Sequence, residues 1–97
     1  MNNLQNIISL VKKCLGIVDT ATIKDDEITL LINTAISDMT RLGIAEDFDN
    51  PMYQSAIVQY CKGNFGMIRE STKELCMRSY NLLVSSMQCN VEDETED

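Results

Sequence analysis

Residues 60–72 read Tyr-Cys-Lys-Gly-Asn-Phe-Gly-Met-Ile-Arg-Glu-Ser-Thr, YCKGNFGMIREST. Gly63 and Gly66 sit three apart, and an aromatic residue precedes the second. A phosphate cradle would need a strand, then GxxxxGK[ST], then a helix; a dinucleotide loop would need GxGxxG after a strand. Neither pattern is present, and the residues before Gly63 repeat at helical spacing. The stretch therefore reads as a joint between two helices, which makes the chain a helical bundle rather than an α/β nucleotide binder. In this reading Phe65 is the last core residue of one helix. Gly66 then turns the chain at positive φ, and Ser71 with Glu74 forms a capping box that starts the next helix.

Working outward, the same periodicity appears three more times. Leu4, Ile7, Ile8, Val11, Cys14 and Leu15 mark a first helix that ends near Gly16. Asp25, Asp26 and Glu27 open a second, where acids oppose the helix dipole; Ile28, Leu31, Ile32, Ala35, Ile36 and Met39 are its apolar stripe, and Gly43 is its stop. Asn50-Pro51 is an N-cap followed by a first-turn proline, opening a third helix through Met52, Tyr53, Ala56, Ile57, Tyr60, Cys61 and Phe65. The fourth buries Cys76, Tyr80, Leu83 and Met87, with Leu75 and Leu82 widening the stripe. No segment alternates long enough for a sheet. The expected fold is all-α, a small bundle of about four helices over residues 1–90, with a disordered acidic tail at 91–97 that buries too little to offset backbone ordering.

Charge and composition narrow the function. The chain has 97 residues, one domain's worth, and a net charge of −7. Glu92, Asp93, Glu94, Glu96 and Asp97 supply five of its fifteen acids, which leaves ten acids against eight bases in residues 1–91. Lys12-Lys13 is the only adjacent basic pair, so the positive stripe that nucleic-acid binding requires is missing. There is no histidine for a Ser or Cys triad or for general base work. Asp47-Phe48-Asp49-Asn50 starts like a calcium loop, but Met52 and Val58 stand where Gly and Glu are required. The four cysteines are far apart; Cys14, Cys61 and Cys76 fall on apolar helix faces and are expected as small core residues rather than metal ligands or disulfides. No apolar run spans a bilayer or reads as a secretory signal. No enzyme, cofactor, metal or membrane partner is expected.

The stretch Ala56–Gly66, then a short polar connection, then Ser79-Tyr80-Asn81-Leu82-Leu83, resembles the small head–tail connector proteins of tailed phages, also described as DNA-packaging proteins. The aromatic-x-Lys-x-x-Phe-Gly helix ending and the Ser-Tyr pair carry the likeness. So does the helix order, with its acidic start to the second helix and its proline at the third; the likeness covers roughly residues 4–88. The resemblance implies a structural virion protein, assembled in the host cytoplasm as a ring of about a dozen copies with heterologous contacts. Such a ring lies under the portal, extends the DNA channel without sequence-specific DNA binding, and docks a neck or tail completion protein. Met67, Ile68, Arg69 and Glu70, which are more apolar and basic than the family's usual run, are the expected partner contact. The competing readings are a small helical DNA-binding regulator, which the charge balance disfavours, and an antitoxin-like accessory protein, which should not form rings.

Overall fold

The computed structural model describes residues 3–18 and 20–96, with side chains from Leu4 to Gln88. It contains four helices: α1 (Asn3–Cys14), α2 (Asp25–Arg41), α3 (Pro51–Asn64) and α4 (Glu70–Glu96). There is no strand among the described residues. The body is a slab with extents of 47 × 35 × 18 Å. Its thickness is that of two packed helix layers, and its length follows from α4, whose 27 residues span about 40 Å at 1.5 Å per residue.

α3 is central and packs against each of the other helices, most extensively against α4. Tyr53, Ala56, Ile57, Val58, Cys61 and Gly63 are all buried, so α3 lacks the single apolar stripe of a surface helix. From α1 come Ile7, Ile8 and Val11, from α2 Ile28, Ile32, Ala35 and Met39, and from α4 Tyr80, Val84 and Met87. Together they form one core, at about 25 cal/mol per Å² of apolar area removed from water.

Two helix ends are set by glycine as expected. Gly16 (φ +78°) and Gly43 (φ +88°) are left-handed. At each, the next residue's N–H reaches back to the last turn, Ile17 to the Lys12 carbonyl (2.8 Å) and Ile44 to the Met39 carbonyl (2.9 Å). Both are Schellman closures, and Ile44 and Met39 supply the accompanying apolar contact. At the start of α3, Asn50 caps the helix through its side-chain oxygen, which accepts from the Met52 N–H (2.9 Å), and Pro51 occupies the first turn.

The joint itself departs from expectation. Phe65 is in the core as expected, 2% exposed. It is also what ends α3, by taking an extended conformation (φ −73°, ψ 130°). Gly66 is not at positive φ. The reversal is made instead by a turn in which the Ile68 N–H donates to the Phe65 carbonyl (3.1 Å), while the Gly66 N–H donates to Glu27 Oε2 (3.3 Å). A side chain at 66 would meet only that carboxylate, at 3.7 Å. The joint is thus tied to α2 by an acid that the sequence placed only at a helix start. Gly66→Ala is expected to change stability by no more than about 0.5 kcal/mol, whereas Gly43→Ala should cost about 1–2 kcal/mol by forcing an L-residue into the left-handed region. Urea unfolding of the two variants side by side checks this; equal losses would refute it.

Three further expectations are corrected. The first α4 bond runs from the Lys73 N–H to the Arg69 carbonyl (2.9 Å), so the helix begins at Glu70. Ser71 is the second helical residue, and Ser71 and Glu74 form no capping box. Glu70 meets the helix N-terminus instead, as an acid in the first turn. Leu75 and Leu82 do not widen the buried stripe; they stand 59% and 68% exposed, and Val84 takes the core position. Cys14 is exposed, while Cys61 and Cys76 are buried as expected. The α4 backbone runs on to Glu96, through most of the stretch expected as a tail at 91–97; the side chains past Gln88, and residue 97 altogether, lie outside the described residues.

Candidate functional site

The residues after Gly16 and the residues after Asn64 meet at one end of the slab. Because Gly16 reverses the chain at the end of α1, the linker to α2 lies across the α3–α4 turn. Leu15, Ile17 and Ile23 from the linker and Phe65, Met67 and Ile68 from the turn line a groove of about 510 Å³. Its floor is Phe65, and its rim carries Ile23 at 91% and Met67 at 74% exposure. A second depression, lined by Lys13, Ile17 and Val18, continues the apolar surface along the linker. A contiguous exposed patch of this kind marks an interaction surface more often than scattered single residues do.

The charges at this end are ordered by the helix dipoles. Lys12, in the last turn of α1, places Nζ 2.9 Å from Asp25 Oδ1 in the first turn of α2. Each charge faces the helix end that favours it. Lys12 is 3% exposed and Asp25 35%, so this ion pair is sealed on one side and pins the linker's two ends together. Asp25 Oδ1 has no well-aligned hydrogen bond; the ammonium charge is its partner. Lys13 and Lys24 are the charged residues lining the two depressions. The Lys24 ammonium stands 3.8 Å from Glu27 Oε1, an exposed pair of small energetic weight.

The expected contact residues divide. Met67, Arg69 and Glu70 are exposed, whereas Ile68 is half-buried and packs onto the core. The structure brings Phe65, Met67 and Ile68 into one groove. Ser71 and Glu74 lie outside it, exposed on α4. Ile17 and Ile23 escaped the sequence reading because linker residues have no period to interpret; an isoleucine flanked by Thr22 and Lys24 was the available signal.

The residues that carried the family likeness do structural work instead. Tyr60 and Tyr80 meet edge to face with centroids 5.1 Å apart. Tyr80 O–H donates to Asp38 Oδ2 (2.6 Å), and Arg41 donates to Asp38 Oδ1 (2.6 Å). Two turns further along α4, the Gln88 amide donates to the Leu42 carbonyl (3.0 Å) at the end of α2. α4 is therefore packed on α3 and also hydrogen-bonded to α2. The Tyr80 hydrogen bond, then Arg41, hold the Asp38 carboxyl below its usual range. Burial, then the hydrogen bond to Asp38, pushes the Tyr80 phenol far above its own.

Two other buried groups are held protonated by their surroundings. Burial pushes the Cys61 thiol up to about 12, which suppresses the nucleophilic thiolate at neutral pH. Tyr53, fully buried, is likewise raised to about 12, by burial first and then by Glu46 and Asp47; its hydroxyl has no hydrogen-bond partner among the described residues. Among the described residues no group of His, Cys, Asp or Glu could hold a metal ion, and no helix is long and apolar enough to cross a membrane.

No curated protein and no solved structure gives a significant match to the chain. A family model described as "Phage connector protein" matches residues 7–94, which takes in all four helices, the apolar groove and the Tyr60–Tyr80–Asp38 cluster. The chain therefore belongs to the phage connector protein family, and is a structural virion component of the connector between phage head and tail.

Proposed function

We propose that this protein acts without catalysis, as an adaptor that forms a ring beneath the portal, continues the DNA channel and offers a docking surface to a neck or tail completion protein. The observation that carries this reading is the family match over nearly the whole chain. The physical character of the chain supports it: a body stiffened by one continuous core, with five of the six large exposed apolar side chains among the described residues at the α1–α2 and α3–α4 turns and on the outer face of α4, and the sixth, Leu30, on α2. Repeated copies would join through two different surfaces, as heterologous ring contacts require.

Charge fits a conduit. Residues 1–91 carry a small acidic excess with no basic stripe, so phosphates passing nearby find no counterion-release gain that would hold them. Electron microscopy of the full chain mixed with portal oligomers tests the reading, with ring-shaped density added coaxially to the portal as the expected result. Portals that stay bare at saturating protein would overturn it. Tight duplex binding in a gel shift at physiological salt would overturn the conduit role and favour a DNA-binding regulator.

A further inference from the structure

Methionine stands at six positions of this chain, and a thioether sulfur is open to oxidation wherever a peroxide can reach it. The settings of these sulfurs differ. Met39 and Met87 are buried in the core, and Met67 stands 74% exposed on the α3–α4 turn. Met77 is half-buried where α4 packs on α3. Its side chain occupies the notch left by the missing side chain of Gly63: a Cβ at position 63 would fall 2.5 Å from the Met77 sulfur and 2.6 Å from its Cγ. The same sulfur accepts a hydrogen bond from the Asn64 amide (3.4 Å), which also donates to the Tyr60 carbonyl (2.9 Å) and so closes the last turn of α3. The Gly63 backbone therefore takes one side of the sulfur and Asn64 another. Asn64 is itself exposed, so the open approach to the sulfur is from its side.

We infer that Met77 is an oxidation-sensitive seat for α4. A hydroperoxide transfers its terminal oxygen to the sulfur. The O–O bond breaks, an S–O bond forms, the sulfur gives up two electrons and the peroxide leaves as water or an alcohol. The new oxygen arrives where the Asn64 amide now stands. Either the amide is pushed off, which also uncaps the Tyr60 carbonyl, or the Met77 side chain lifts out of the Gly63 notch. In both cases an apolar filler becomes larger and polar, and the close contact between α3 and α4 is lost. Tyr80 follows within one turn of α4, so the loosened stretch adjoins the Tyr60–Tyr80 ring contact. A dithiol reverses the step by taking the oxygen away as water while it becomes a disulfide. Oxidation of Met67, whose side chain projects from the turn, should leave the seating of α4 untouched.

The test treats the folded full chain with increasing hydrogen peroxide, measures the sulfoxide at each methionine by peptide mass spectrometry, and records thermal melts of the same samples. Met67 is expected to oxidise first with no change in melting. As Met77 converts, the melting temperature should fall by roughly 5 °C or more. Methionine sulfoxide reductases with a dithiol should restore it. Met77→Leu, a swap close in volume, keeps every cysteine and the other methionines; it should hold its own melting temperature through the same peroxide dose, whereas Met67→Leu should respond like the parent. Three results would overturn the inference: complete Met77 sulfoxide with an unchanged melt, a Met77 sulfur no more reactive than buried Met39 and Met87, or an equal loss in Met77→Leu, which would place the damage elsewhere. Should Met77→Leu not fold, reversal by the reductases in the parent chain, matched peptide by peptide to Met77, decides the point.

Discussion

Gly63→Leu is expected to lower the stability of this protein by about 3 kcal/mol, a drop of roughly 15 °C in melting temperature for a domain of this size. Gly63 lies in the last turn of α3 and is buried against α4. A Cβ added there would fall 2.5 Å from Met77 Sδ and 2.6 Å from Met77 Cγ, with the Lys73 carbonyl oxygen at 3.5 Å. Met77 is held in place, because its sulfur accepts from the Asn64 amide (3.4 Å), which also donates to the Tyr60 carbonyl (2.9 Å). Alanine can be accommodated by swinging Met77 aside, and its helix propensity gains about 1 kcal/mol over glycine. Gly63→Ala should therefore stay near the parent. Leucine cannot be accommodated that way, since its branched end would need the space of the whole Met77 side chain. Thermal melts of the two variants check this, together with Gly63→Leu/Met77→Ala, which should recover more than half of the loss. A Gly63→Leu protein melting with the parent would mean that α3 and α4 do not approach closely at this point.

Tyr80→Phe is expected to cost about 1.5–2 kcal/mol at pH 7. A hydrogen bond to a charged group contributes ~1.5–3 kcal/mol; the lower part of the range applies because Asp38 keeps Arg41 and is 27% exposed. The pH dependence separates this cause from lost packing. Asp38 has a depressed carboxyl in the folded protein, so its contribution is present above the unfolded value near 3.9 and is lost as pH falls through the folded one. The difference between parent and variant should therefore shrink below about pH 4. The Tyr80 phenol is raised in the folded protein, so its contribution is complete below the unfolded value near 10 and is lost as pH rises beyond it. Urea unfolding of both proteins from pH 3 to 11 tests both limbs. A difference that stays constant across that span would assign the effect to packing against Tyr60 alone.

Both positions bear on how α4 is held against the rest of the subunit. Tyr60, Tyr80, Phe65 and the glycine pair are the residues through which α4 is seated on α2 and α3. Apart from the exposed Gly66 they are buried or half-buried, and they shape the subunit. The exposed apolar residues Met67, Leu75 and Leu82 are held in place by that seating.

The amino-acid sequence alone determined the four helices, the Gly16 and Gly43 stops, the Asn50 cap and most of the core, because these depend on residues within a turn or two of one another. Periodicity, capping and left-handed glycine are local physics. Only the tertiary structure decided which glycine mattered at the joint: Gly66 is unstrained, and Gly63 is required by a methionine fourteen residues away on another helix. It likewise gave Glu27 and Asp25 partners far from their own helix. Leu75 and Leu82 were turned outward because α4 meets the body on one narrow face. A leucine's spacing records that a helix is amphipathic, but the direction in which the next helix lies sets which leucines are covered, and that direction is a property of the assembled chain.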